Sequence, residues 1–400
     1  MTASEFPRII SVDDHVIEPP DVWADRLPAR YREAGPRSVR APLGEMTYVG
    51  GKMSFTGGEG PPCDWWHYEN KKIPTTRLSA AAGFDRDDVK ITAITYEEMR
   101  PGCFDPVPRL ADMDVNHVEA SLCFPSFPRF CGQTFLESKD KDLARLCVEA
   151  YNDWMLDEWC AGSGGRLIPL CIVPLWDPHL AAAEIHRNAA RGVRAVTFSE
   201  IPPYLGLPSI HDADRHWEPF IRACAETGTV ICMHIGSSSK MPSTSADAPA
   251  AVGSSLTFGN AMSSLVDWLF SGWLEEFPTL KLAYSEGQIG WIPYILERCD
   301  KVWEHNRAWG GVADRVPVPP STYYYRQVYG CFFDDEHGLE SLARVGVDNI
   351  TFETDYPHSD STWPHSLEMA EKQMGHLPTD VVRKIVRGNA IKMLSLDLDG

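Results

Sequence analysis

The chain has no CxxC pair, no GxGxxG or GxxxxGK[ST] after any strand-like run, and no block of ~18 apolar residues. Each absence removes a class of protein. Eleven cysteines, an odd number, include Cys123, Cys171 and Cys232 inside apolar runs, so they read as reduced, buried thiols and not as a zinc ribbon or a disulfide framework. Without a glycine-rich phosphate turn, the nucleotide-binding sheets lose their signature. Positive charge is short as well: 37 Lys and Arg against 56 Asp and Glu leave a formal charge of -19, which repels nucleic acid and anionic membrane. The N-terminal "MTASEFPRIISVDD" shows no basic segment followed by an apolar run. The expectation is a soluble, cytoplasmic protein whose partners are small molecules and divalent cations.

What the sequence does contain is a rhythm. Short β-rich apolar runs recur at residues 8–13, 119–124, 166–173, 193–199, 229–235, 280–285, 328–333 and 349–354, eight in all. Helical patterns lie between them, among them 140–159, 178–192 and 217–228, the last two ending at Gly192 and Gly228 where a left-handed cap is expected. Eight βα units favour a (β/α)8 TIM-type barrel, one domain over residues 1–400, rather than an open doubly wound sheet.

Two segments interrupt the rhythm. Residues 16–105 follow the first strand and contain "YVGGKMSFTGGEGPPCDWWHYENKK" (48–72), read as a short β-hairpin or a glycine-hinged flap. Because a connection leaving the C-terminal end of a barrel strand covers the active-site face, this insertion is expected to act as a lid or an oligomer contact. Residues 236–255, rich in Ser, Ala and Pro, form a second, shorter loop insertion.

Polar residues gather where the strands end. Strand one runs into Asp13, Asp14 and His15; strand five ends at His234, strand six at Ser285 and Glu286, and strand eight at Asp355. In a closed barrel these ends share one mouth, and Asp, His and Glu are the ligand types of a catalytic metal. Residues i and i+2 of an extended chain point the same way, so Asp13 and His15 can grip one cation. Asp13, Glu286 and Asp355 with two neutral imidazoles bring a charge of -3, which suits one divalent ion or, with a bridging hydroxide, two. Oxygen-rich ligation favours manganese or iron over zinc. His358 stands close enough to Asp355 to be a further ligand or a substrate contact. His179, His186 and His216 read as cap, surface or packing groups, and His305 as facing the mouth or a partner subunit. Trp291, Trp303 and Trp309 read as core aromatics before pocket walls.

"VDDH", "MHIG" and "TDYPH" on strands one, five and eight resemble the amidohydrolase superfamily, in its aminocarboxymuconate-semialdehyde decarboxylase-like branch. The resemblance covers the chain apart from the long insertion, and it implies a metal held by Asp13, His15, His234 and Asp355. It departs at strand six. The branch usually carries a catalytic histidine in an "HxG" stretch there, whereas this chain reads "AYSEGQIGWIPYILERCD", with Glu286 or Ser285 near that position. The implied activity is metal-dependent hydrolysis or decarboxylation of a small carboxylated substrate, with Glu286 and His358 as candidate catalytic groups. A dinuclear iron or iron/manganese oxygenase on the same barrel is the alternative, and a non-catalytic subunit of a related enzyme the third reading. Assembly as a homo-oligomer, or with a related subunit, is expected.

Overall fold

The computed structural model describes residues 6–398. Its strands, in chain order, are β1 (Ile9–Val16), β2 (Arg37–Val49), β3 (Lys52–Tyr68), β4 (Lys71–Pro74), β5 (Val118–Pro125), β6 (Leu167–Ile168), β7 (Ala195–Thr197), β8 (Val230–His234), β9 (Leu282–Ser285), β10 (Val328–Phe332) and β11 (Ile350–Phe352). Eight of them form a parallel sheet in the order β6-β5-β1-β11-β10-β9-β8-β7. Its two ends meet through Cys171, whose N–H donates to Ala195 O at 3.1 Å and whose carbonyl accepts from Thr197 N at 3.0 Å. This is the (β/α)8 barrel.

Parallel strands are covered on both faces, so they read as nearly continuous apolar runs; β8, "VICMH", is buried at every position. Helices pack outside. Lys141–Trp154 buries Leu143, Ala144, Cys147, Val148, Tyr151 and Trp154, the three-and-four spacing of one helical face, and the Asp140 carboxylate accepts from Leu143 N at 2.9 Å to cap it. Glu218–Thr227 ends at Gly228, whose φ of 69° is the left-handed cap that glycine adopts without a Cβ clash.

Inside the barrel, Ile10, Val12, Leu122, Phe124, Ile168, Val230, Cys232 and Cys331 pack with Ala390, Met393 and Leu394 of the C-terminal helix Asn389–Leu394. The lower end of the barrel is thus filled with apolar groups, and polar side chains can face inward only at the C-terminal mouth. All eleven cysteines are free, and Cys160 alone is not fully buried. Among the described residues no helix is long and apolar enough to cross a membrane.

The long insertion differs from the short hairpin the glycines suggested. β2 and β3 form an antiparallel ribbon that pairs from Arg37–His67 out to Val49–Lys52, with β4 added at its root. Gly50 and Gly51 turn it, at φ 59° and 72°, the positive pair that a tight hairpin turn needs. The root is anchored: Trp66 and Tyr68 are buried and meet Trp23, Phe127 and Phe135 edge-on. The outer half is exposed, and the tip is tied to the second insertion, where Gly50 N donates to Ala248 O at 2.9 Å and Val49 pairs with Pro249.

Candidate metal centre

A strict alternation along β1 would not bring Asp13 and His15 inward, because Ile10 and Val12 already face the barrel interior. The pairing of β1 with β5 slips between Ser11 and Asp14, a bulge that resets the alternation. Beyond it, Asp13 and His15 point into the mouth and Asp14 turns away. Asp14 is held by Ser11 Oγ at 3.0 Å, Thr354 Oγ1 at 2.7 Å, Tyr356 N at 3.0 Å and Ser121 Oγ. Beneath it the fully buried Arg109 donates to the carbonyls of His15 and Gly102 and to Cys123 Sγ.

The strand ends converge as the sequence proposed. His15 Nε2 lies 3.2 Å from Asp355 Oδ1, 3.6 Å from Asp13 Oδ1 and 3.2 Å from His234 Nε2. His234 Nε2 lies 3.3 Å from Asp13 Oδ2 and 3.7 Å from Glu286 Oε1. His358 Nδ1 stands 3.1 Å from Asp355 Oδ1 and 3.8 Å from Glu286 Oε1, with its ring stacked on His15 at 3.5 Å between centroids. Two groups of four therefore share a small space: Asp13, His15, His234 and Glu286, and His15, Glu286, Asp355 and His358. At strand six the residue is Glu286 and not Ser285, because a φ of 54° at Glu286 swings its carboxylate back over the mouth.

The polar atoms fit a cation. Both carboxylate oxygens of Asp13 and of Asp355 are buried with no hydrogen-bond donor, as is Nδ1 of His15. Unpaired buried carboxylates cost far more than a native fold tolerates unless they ligate a metal or bind protons. Burial, followed by the neighbouring carboxylates, pushes Asp13 and Asp355 well above the usual carboxylate range when no cation is there. Burial lowers His15 and His234, so both are neutral imidazoles, the state that ligates metal. Burial also opposes charge on Glu286, but a positive charge on the His234 side of the site, with the hydrogen bond to His358, outweighs it and holds the carboxyl well below the usual range. The His234 ring is oriented by Nδ1 against the Ile235 carbonyl at 2.5 Å and by Phe130, stacked on it at 4.1 Å.

Four groups near the mouth were not singled out from sequence. Glu353 follows β11 directly, one residue before Thr354; it is fully buried, and burial pushes its carboxyl up to about 8. Glu200, at the exit of β7, and Glu18, just past β1, are likewise buried and pushed by burial up to about 8 and about 7. Glu18 accepts from Ser126 N and Phe127 N at 2.9 and 2.8 Å, pinning the loop that carries Phe130. The available signal was a carboxylate inside an apolar run, as in "ITFETD", but Arg109 sits in an ordinary amphipathic helix and gave none.

The other histidines and tryptophans singled out in the sequence lie away from the cluster; the three histidines read as cap, surface or packing groups are so placed, and Trp309 departs from its core reading. His305 is 66% exposed beside Glu304 and does not face the mouth. Trp309 is 76% exposed, while Trp291 and Trp303 are partly buried against the outer core. His179 and His186 are exposed, and His216 packs edge-on against Trp217. A surface hollow of about 490 Å³ lined by His211, Arg215 and Trp273 shares no residue with the cluster. None of its lining residues is a buried carboxylate without a donor, as Asp13 and Asp355 are.

With this geometry in place, comparison with known proteins is decisive on class: the amidohydrolase family profile matches residues 26–396, and the chain belongs to that family of enzymes. The match begins beyond β1, so Asp13 and His15 enter the site on geometry. The chain is 25% identical over 356 residues to the gamma-resorcylate decarboxylase of Rhizobium sp. (strain MTP-10005), covering 82% of this chain and 97% of that protein. An amidohydrolase from Mycobacterium avium subsp. paratuberculosis K-10 shares the fold at a TM-score of 0.70 and 20% identity, over 97% of this chain and 99% of that one. So does the 5-carboxyvanillate decarboxylase of Novosphingobium aromaticivorans DSM 12444, crystallised with manganese and 4-hydroxy-3-methoxy-5-nitrobenzoic acid, at TM-score 0.64 and 15% identity over 99% and 100% of the two chains.

Proposed function

We propose that this chain is a divalent-metal-dependent decarboxylase of a small aromatic carboxylic acid. The observation that carries the metal is the set of four buried, donor-less oxygens of Asp13 and Asp355 facing two neutral imidazoles. Asp13, His15, His234 and Asp355 would hold the ion, with Glu286 as a further oxygen ligand or as an acid/base group beside it. Manganese or iron suits this oxygen-rich set better than zinc. Once bound, such an ion supplies Lewis-acid polarisation and a fixed positive charge for a substrate carboxylate.

The chain's own residues provide the rest. Phe124 and Phe130 flank the imidazoles at 5.0 and 4.1 Å from the His234 ring, an apolar wall of a kind that takes an aromatic ring. His358, 18% exposed and held between Asp355 and Glu286, is the group positioned to deliver a proton to ring carbon as carbon dioxide leaves. Support for decarboxylation comes from the resorcylate and carboxyvanillate decarboxylases among the similar proteins. Hydrolysis is the second reading. It is favoured by Glu286, ionised where the branch usually has histidine, since an ionised carboxylate can take a proton from water.

The β2–β3 ribbon, strapped to residues 241–253, fits a fixed rim that selects substrates at the mouth. Incubating the manganese-loaded enzyme with hydroxylated benzoates and with amide or lactone substrates tests the reading. Carbon dioxide release without hydrolysis supports decarboxylation; hydrolysis alone overturns it. Two redox-active ions per chain, with oxygen uptake, would point to the oxygenase reading.

A further inference from the structure

We propose that Glu353 is a positioning residue for the metal centre: its carboxylate holds the left-handed turn that aims Glu286 at the cluster, linking the strand that bears Asp355 to the turn that bears Glu286. This rests on the metal-centre reading above.

Glu353 is 0% exposed, and its N–H donates to Phe332 O at 3.2 Å, so it continues the β10–β11 ladder to the floor of the mouth. Its Oε2 accepts the backbone N–H of Glu286 at 3.0 Å and the thiol of Cys331. Glu286 and Gln288 both have φ of 54°, a conformation that non-glycine residues keep only where surrounding contacts over-determine it. At Ser285 the sheet ladder ends, with the Ser285 carbonyl accepting from Ile235 N at 3.3 Å. The next N–H, that of Glu286, is part-buried and donates to a side chain, and an apolar residue at 353 would remove that acceptor. Relaxing that turn would carry the Glu286 carboxylate away from His234 and His358. A carboxyl oxygen keeps lone pairs for this N–H whether or not the group is ionised, and so does the amide oxygen of glutamine. Its second oxygen, Oε1, is buried without a donor, and the group lies close enough to Asp13 for the two carboxyls to interact.

The test uses the metal-stripped full-length chain and Mn²⁺ alone, with affinity read by calorimetry. Glu353→Leu is expected to weaken Mn²⁺ binding at least ~10-fold, the scale of lost outer-sphere support. Glu353→Gln keeps an amide oxygen for the Glu286 N–H and should stay within about 3-fold of wild type on that same scale. In a Glu286→Ala background, Glu353→Leu should add no further loss, because the two act in series. A merely space-filling Glu353 would give the same loss in both backgrounds; that result, a Gln variant as weak as Leu, or an unaffected Leu variant overturns the inference. Should the Leu variant not fold, hydrogen exchange at the Glu286 amide decides: protection in both wild type and Glu353→Gln supports it, and fast exchange in either overturns it. Wild-type protein that takes up no Mn²⁺ overturns the metal-centre reading itself, and this inference with it.

Discussion

At the scale of single residues, the centre is an exercise in burying negative charge against a cation. Asp355 contacts His15 and His358 and has no donor on either oxygen. Asp355→Ala should therefore lose metal and activity together, with affinity falling beyond the ~10- to 100-fold typical of outer-sphere changes, as metal analysis of the purified variant would show. Full metal occupancy in that variant would refute its place among the ligands. Glu286 separates two chemistries. As an acid/base group, Glu286→Gln should keep the metal and lower kcat by roughly 100-fold or more, since the amide keeps the shape but cannot accept the proton. As a ligand, the same change should lower metal content instead. Stoichiometry and kcat measured on one preparation distinguish these outcomes.

At the scale of elements, the β1 bulge and the β2–β3 ribbon do what no single side chain could. The bulge turns two candidate ligands, Asp13 and His15, inward within one strand. The ribbon spans from the β1 exit to the loop after β8, and a Cβ at Gly50 would stand 2.5 Å from Ala246 O, so its tip fits that loop closely. Gly50→Val is expected to detach the tip and raise KM or broaden substrate range while leaving metal content unchanged, which steady-state kinetics over a substrate panel would reveal. Unchanged kinetics would assign the ribbon to another role, such as an oligomer contact.

At the scale of the whole molecule, acidic groups set the response to pH and metal. Glu18, Glu200 and Glu353 have ordinary carboxyl values of 4.5 and sit near 7, 8 and 8 in the folded chain, chiefly through burial. A raised folded value means the unfolded state releases its proton first. Stability from these groups is complete below about pH 4.5 and is lost as pH rises through 7 to 8. Metal-free protein should therefore lose denaturant resistance between roughly pH 5 and 8, as urea midpoints would show; a flat or rising profile would refute it. Mn²⁺ at 100 times its Kd should add about 2.7 kcal/mol by binding only the folded state, visible as a rise in those midpoints.

The sequence by itself determined the eight-strand rhythm, the capped amphipathic helices and the polar strand ends that name Asp13, His15, His234, Glu286 and Asp355 as candidates. Those signals are local: apolar period, cap chemistry and residue type are all written in neighbouring positions. Tertiary structure alone decided that Glu286 and not Ser285 enters the cluster, because that depends on a left-handed backbone angle. It alone revealed the β1 bulge, the buried roles of Arg109 and Glu353, and the exposure of Trp309 and His305. Burial and the identity of a hydrogen-bond partner are set by chain segments hundreds of residues apart, and no local pattern encodes which of them will meet.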